Sequence, residues 1–600
     1  MGALLALLVL LVSAQRIVDW RFTDPDDILR LVQVRDLLAG QGWFDLDQHR
    51  IDPLRSVPMH WSRLVDLPLA IVIGALTPLL GQAGAEAFAV IAVPIATLMV
   101  AMLFTGLVAV RLLGRETGGW AVLLAGMMPL LMHQFQPLRI DHHGWQIACF
   151  AIALWGLSRR DFLRGPIIAG LAIAWGLTIS IEMLPLAGLV GAILGLRWLR
   201  DAERAPLTHY MQALAGGLVV LFLATRGWPR LSAFCDTVGP AHLGFFLVTA
   251  LGTTALRHAP AMRPLATIAG FGTVGAIGLA LFAFASPTCL ATPFGALDPV
   301  VRDFWYVNVS EGRPLWEQDW VIIVPFIQLV VALIATLAIW ARAPRETRAQ
   351  WLDFLLLFAG TLALGVLVAR SLAFASLLAT IPFAWLLGLA LARLRSSGPA
   401  LVKAAVALAT LLVVLPTAPV AVAHSLAPAR GNSPEPGAIS MSSCDLETSA
   451  RRLATLPQGT VFAPLDIGPS ILLQTDHRVI ATGHHRADKA MRDVIGAFVA
   501  PDDVSRLIVR AYGADYLALC SDLVEPSLYA RRGGERSLAA RLIAEEVIPP
   551  LVLAMPSDGL WGDGSGYFAH HGRDFDRWIV DEVPVATREA GAPVSDRSPC

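Results

Sequence analysis

Long apolar runs recur along the chain up to about residue 423, and several reach the roughly 20 residues that a helix needs to cross a bilayer. That pattern excludes a single large soluble core. The charged fraction agrees: 16% of residues are Asp, Glu, Lys or Arg, against about 25% in an average soluble domain. The 600 residues carry a net charge of -1, which gives no electrostatic reason to expect nucleic acid. The chain reads as an α-helical polytopic membrane protein.

Apolar runs and their breaks predict about thirteen spans. They lie near 2–18, 86–112, 118–133, 144–158, 166–181, 183–198, 210–225, 241–256, 265–286, 319–341, 351–369, 371–394 and 401–423. The first run has no basic residue before it, which favours a retained span over a cleaved signal. The run 67–81 is short, begins Leu67-Pro68 and ends at Gly81, and is assigned to an outer loop. Arginine clusters set the orientation. Arg159, Arg160 and Arg164, then Arg197, Arg200 and Arg204, then Arg342, Arg345 and Arg348 fall on one side if the N-terminus is inside. Four segments then share the outer side: the loop 19–85, the turn 134–143, the loop 287–318 and everything after about residue 425. This predicts a membrane domain over 1–424, a Pro-, Gly- and Ser-rich linker over 425–440 and an extracytoplasmic α/β domain over 441–600. In that domain Thr460–Phe462, Arg478–Ala481, Leu507–Val509 and Tyr516–Cys520 read as strands and Ser537–Glu546 as a helix. Cys444 and Cys520 both fall there, and are either a disulfide or two buried thiols.

Chemistry in such a chain concentrates in the polar outer segments. Asp24-Pro25-Asp26-Asp27 places three carboxylates within four residues, a pattern that suits Mg²⁺ or Mn²⁺. The same residues make a good helix start, with Asp24 as N-cap and Pro25 in the first turn. Arg139-Ile140-Asp141-His142-His143-Gly144 sets a carboxylate and two imidazoles before a span. Glu182 falls near the outer end of its span. Glu311 lies in an aromatic, polar island from Trp305 to Trp316, and Arg370 at an outer turn between two apolar runs. Asp24, Asp141 and Glu311 thus share a side with Arg370. A divalent metal next to a bound anionic group accounts for all four.

Four of these stretches resemble, in order, the motifs of the catalytic subunit of oligosaccharyltransferase, a GT-C-class membrane glycosyltransferase. They are Asp24-Pro25-Asp26-Asp27-Ile28-Leu29-Arg30, Arg139-Ile140-Asp141-His142-His143-Gly144, Val309-Ser310-Glu311-Gly312-Arg313-Pro314 with Trp316, and Val368-Ala369-Arg370-Ser371-Leu372. The resemblance implies a GT-C-like fold. It implies that Asp24, Asp141 and Glu311 hold the metal with His143 as helper, and that Asp24 and Glu311 orient the acceptor. It assigns Arg370 to the phosphate leaving group and prefers Glu311 over Glu182. The donor would be a polyprenyl-phosphate or -pyrophosphate sugar. The family's C-terminal W-W-D-Y-G corresponds to Pro464-Leu465-Asp466-Ile467-Gly468, without either tryptophan or the tyrosine, and His484 and His485 stand where asparagines are expected. Asp466, Gly468, His484 and His485 are the candidate acceptor-binding residues.

The combined reading is a divergent, metal-dependent glycosyltransferase of a bacterial inner membrane. Its C-terminal domain is periplasmic, and its acceptor is a protein, polysaccharide or lipid. A related enzyme acting on a polysaccharide or lipid is one alternative. A transporter or polysaccharide-export component is the other, and would show two matching halves, which this sequence lacks.

Overall fold

The computed structural model describes residues 2–227, 234–290, 297–415, 444, 446–521, 523–544 and 552–554. The expected linker at 425–440 lies outside the described residues.

Helix covers most of each of the thirteen expected stretches over their described residues. The helices are α1 Gly2–Val12, α2 Ala14–Val18, α3 Pro25–Leu38, α4 Arg63–Leu113, α5 Arg115–Ala125, α6 Pro129–Met132, α7 His143–Ser158, α8 Arg164–Ile179 and α9 Leu184–Asp201. They continue as α10 Arg204–Thr225, α11 Pro240–His258, α12 Pro264–Ala285, α13 Pro299–Phe304, α14 Trp320–Arg342, α15 Arg345–Leu367, α16 Leu372–Arg395 and α17 Ala400–Val413. Among the described residues, seven helices are long and apolar enough to cross a membrane by length and composition. The expected first span is broken at Ser13, and the third at 126–128, between α5 and α6.

The run 67–81, read from sequence as loop, is helix. It forms the first part of α4, which breaks at Gly81 (φ 69°) before resuming. Leu69, Ala70 and Ile73 of this first part are buried with Ile28, Leu31 and Val32 of α3 and with residues of the C-terminal segment. It therefore belongs to the layer outside the bundle.

The centre of the bundle is α16, in which Leu372 to Ala384 are all buried. Ala373, Ala375, Ser376 and Ala379 are small enough to let α5, α14 and α15 approach closely. Glycine does the same between α8 and α10, where a Cβ on Gly170 would come within 2.6 Å of the Tyr210 carbonyl oxygen.

The C-terminal segment builds a four-stranded sheet in the order β4-β3-β5-β6, from β3 Thr460–Phe462, β4 Arg478–Val479, β5 Tyr516–Leu519 and β6 Val552–Ala554. A two-stranded ribbon in the first outer loop supplies β1 Asp47–Gln48 and β2 Val57–Pro58. β3 runs parallel to β4 and β5, and β6 is antiparallel to β5. Leu507–Val509, expected as a strand, is helical within Asp502–Ala511: Ser505, Val509 and Tyr512 are buried at helical spacing, while Leu507 is exposed. The helix expected at 537–546 is Leu538–Ala544.

This sheet does not keep a core to itself. The Val479 N–H donates to the Arg50 carbonyl at 2.9 Å and the Asp52 N–H to the Val479 carbonyl at 3.2 Å, so the first outer loop extends the edge at β4. Ile51, Val57, Met59 and Trp61 share one apolar cluster with Val461, Phe462 and Ile480. Disulfides join Cys444 to Cys520 and Cys235 to Cys289.

Candidate functional site

The site is assembled from helix starts. Asp24 caps α3, its carboxylate accepting the Asp26 N–H at 2.9 Å, with Pro25 in the first turn. The cap and the candidate ligand are the same residue. One turn on, Asp27 is buried and accepts the backbone N–H groups of Ile140 and Asp141, both at 2.8 Å. Asp27 therefore pins the turn before α7 against α3. Arg139 spans the pair, at 2.7 Å from Asp24 and 3.0 Å from Asp27.

Asp141 lies beside its own histidines. One oxygen accepts from Arg30 at 3.1 Å and sits 2.6 Å from His142 Nδ1, and the other is 3.6 Å from His143 Nε2. Asp141, His142 and His143 each offer a donor atom within 4.8 Å of the others. Arg30 also binds Asp66 at 3.0 Å and lies over the Trp61 ring.

The second half comes from the later helices. Arg370 stands in the 3-10 turn before α16 and binds Glu311 at 3.3 Å and Glu182 more closely. The Ala369 N–H donates to the Arg313 carbonyl at 3.0 Å, which ties the Glu311 turn to Arg370. His143 joins the halves, 3.9 Å from Glu311 and 3.9 Å from Glu182.

Seven carboxylates (Asp24, Asp26, Asp27, Asp66, Asp141, Glu182 and Glu311) thus face four guanidiniums (Arg30, Arg63, Arg139 and Arg370), a formal excess of three negative charges before the imidazoles are counted. Arginines, as well as any metal, relieve the repulsion that the sequence implied. Burial, then Asp24 and Asp141, raise Asp26 well above the usual carboxylate range. Burial also opposes ionisation of Glu311, but His143, Arg370 and Arg139 hold it down at about 2. Asp141 is likewise held well below its usual range, as His142, His143 and Arg30 outweigh its burial.

The expected residues therefore gather in one place: Asp24, Asp141, His143, Glu311 and Arg370. Glu182 joins them, although the motif comparison set it aside: it and Glu311 grip the same arginine. Its signal was an acidic residue at the outer end of a span. Asp27, Arg30 and Arg139 were named only as members of their motifs, without these roles, and Asp66 was not singled out; only its charge in apolar surroundings could have marked it.

The C-terminal candidates divide. The loops 463–468 and 480–485 follow the C-terminal ends of the adjacent parallel strands β3 and β4. Asp466 is raised to about 6, first by burial and then by Asp24, so it faces the site electrostatically. Its N–H is held by Glu525 at 2.8 Å. Gly468 is required sterically, since a Cβ there would lie 2.8 Å from the Ala481 carbonyl oxygen. His484 and His485 lie on a neighbouring cluster with His60 and Asp236.

No protein-family model matches the chain, and no curated protein sequence does. Solved structures do. The archaeal oligosaccharyltransferase AglB from Archaeoglobus fulgidus, in complex with an inhibitory peptide and a dolichol-phosphate, superposes with a TM-score of 0.61 at 13% identity, over 92% of this chain and 74% of that one. Its apo form gives 0.61 at 13% identity over 90% and 72%. Its complex with Zn and sulfate gives 0.58 at 12% identity over 90% and 70%. The chain is a multi-pass membrane protein of the GT-C fold class. Its particular version of that fold is the one seen in the archaeal oligosaccharyltransferase.

Proposed function

We propose that the chain is an integral membrane glycosyltransferase that moves a sugar or oligosaccharide from a polyprenyl-phosphate or -pyrophosphate donor to an acceptor at the outer face of a bacterial inner membrane. In this reading residues 1–424 form the catalytic membrane domain, and 441–600 form a periplasmic domain joined by the linker 425–440. The observation that carries it is the convergence of Asp24, Asp141, His143, Glu311 and Arg370, from four separate segments, beside the membrane bundle. The neighbour's ligands, a dolichol-phosphate and a peptide, are of the classes such a site would take.

The donor set supports a divalent ion. Asp141, His142 and His143 offer one carboxylate and two imidazoles within 4.8 Å, with Glu311 next to His143. This mixed set suits Mn²⁺ better than Mg²⁺, which favours oxygen ligands. A bound ion would supply electrostatic stabilisation to the departing phosphate. Asp24 and Glu311 hold the acceptor's nucleophilic N–H or O–H. The nucleophile forms its bond to the anomeric carbon as the bond from that carbon to the phosphate oxygen breaks. The bonding pair leaves with the phosphate, the acceptor's proton passes to a carboxylate, and Arg370 binds the phosphate oxygens as their charge grows.

A polysaccharide or lipid acceptor is the second reading. The loop Pro464–Gly468 has no aromatic residue to grip a peptide, and its Asp466 is backed by Glu525. Mass spectrometry of envelope glycoproteins and glycolipids, with the gene deleted and with it restored, tests both readings. A glycoconjugate lost on deletion and regained only with active protein is expected, and its aglycone names the acceptor. Identical profiles would remove the assignment.

A further inference from the structure

His60, Asp236 and His485 come from three distant parts of the chain and meet where those parts touch. His60 ends the first outer loop, just before α4. Asp236 follows Cys235, whose disulfide to Cys289 holds that loop. His485 opens a short 3-10 turn, His485–Ala487, of the C-terminal segment. Each offers one donor atom, and all three atoms lie within 4.8 Å of one another. His485 Nε2 is 2.6 Å from an Asp236 oxygen.

We propose that these three residues form a second metal site, for a borderline transition ion such as Zn²⁺, which fastens the C-terminal segment to the membrane core. The chemistry is that of two imidazole nitrogens and one carboxylate, a ligand set that Zn²⁺ takes at about 2.0–2.2 Å, leaving a fourth position for water. Tetrahedral bonds of that length set ligand atoms roughly 3.3 Å apart, so the present separations need only small rotations of the side chains. The surroundings match what metal ligands need. His60 Nδ1 is held by His484 Nε2 at 2.8 Å, which orients the His60 ring. Arg486 binds both Asp236 oxygens, at 2.9 Å on the one that faces His485 and 2.7 Å on the other, which orients the carboxylate. His484 stacks on His485 with ring centres 5.1 Å apart and planes at 16°.

The site is distinct from the Asp141 cluster but adjacent to it, with the His60 and His142 ring centres 6.3 Å apart. Its role is mechanical: the loops that follow β3 and β4 are fixed over Asp24 only if the C-terminal segment keeps its seat. It gives His484 and His485 a different task from gripping an acceptor, and does not depend on the identity of the transferred sugar.

The test uses the full-length protein in detergent, stripped with a strong chelator, dialysed against Zn²⁺ or Co²⁺ and analysed for bound metal. His485→Gln and His60→Gln, changes on separate elements, are each expected to hold one equivalent fewer than the wild type and to lose one Co²⁺ visible absorption band. Asp141→Asn is expected to keep that band. If both histidine variants bind as much metal as the wild type with unchanged Co²⁺ spectra, the cluster is a hydrogen-bonded lock without an ion, and the proposal falls.

Discussion

The bundle carries an acid–arginine network at each end, and the two are built to opposite purposes. At one end Asp353 of α15 is enclosed by arginines: Arg197 at 2.9 Å, Arg160 at 3.1 Å and Arg200 at 3.6 Å. Its side chain is 4% exposed, and Arg197 also caps the Leu157 carbonyl of α7. Here cations outnumber the acid: Arg160 and Arg197 share one of its oxygens, and Arg200 lies nearest the other. At the other end, the one expected to face outward, acids outnumber arginines, and Glu311, Glu182 and Asp24 keep 33%, 29% and 29% of their side-chain surface. The same residue types lock helices together when buried under an excess of cations and make a reactive surface when left short of positive charge.

Substitutions break this comparison in graded ways. Glu311→Gln keeps the size of the side chain and removes its charge, so sugar transfer is expected to fall about 10³-fold while thermal unfolding stays within a degree or two of the wild type. A transfer rate within threefold of the wild type would show that the outer excess of charge is not functional. Asp353→Asn is expected to do the reverse. It leaves three arginines around a neutral amide and lowers stability by about 3 kcal/mol, read from denaturation in detergent, with turnover per folded molecule preserved. Arg370→Lys keeps the charge but loses the planar fork, and is expected to slow transfer about tenfold, with the rate recovering little at saturating acceptor.

The smallest expected effect concerns pH. Burial and then Asp466 raise Glu525 to about 8, and Asp466 itself is raised to about 6. Both groups bind protons more tightly folded than unfolded, where carboxyls titrate near 4. Their stabilisation is therefore complete below about pH 4 and is lost as pH rises through 6 and then 8. Asp466→Asn removes one group and relieves the other, so the fall in melting temperature between pH 5 and 8 should flatten. An unchanged slope would place the pH dependence elsewhere.

How much of this was legible in the sequence follows from range. The helices were readable because an apolar run is a local signal, and so were β3, β4 and β5, bounded by turns. The first part of α4 misled because a short apolar run that begins Leu67-Pro68 and ends at Gly81 marks a loop, whereas the helix tolerates Pro68 and Pro78 and breaks only at Gly81. Asp24, Asp141, Glu311 and Arg370 could be found because each sits in a short motif beside a span. Glu182 on Arg370, Cys235 with Cys289, and Asp236 with His485 are pairings across long separations. No local pattern announces them; only the folded chain brings them together.

The central claim is that the outer network acts on a lipid-linked sugar. The most direct measurement supplies purified full-length protein with the total polyprenyl-linked glycan extract of its native membrane, with acceptor fractions, and follows free polyprenyl phosphate or pyrophosphate by mass spectrometry. Release is predicted with the wild type and with folded Asp353→Asn, and its loss with Glu311→Gln. Equal release from all three, or none from the wild type with any fraction, would contradict the account.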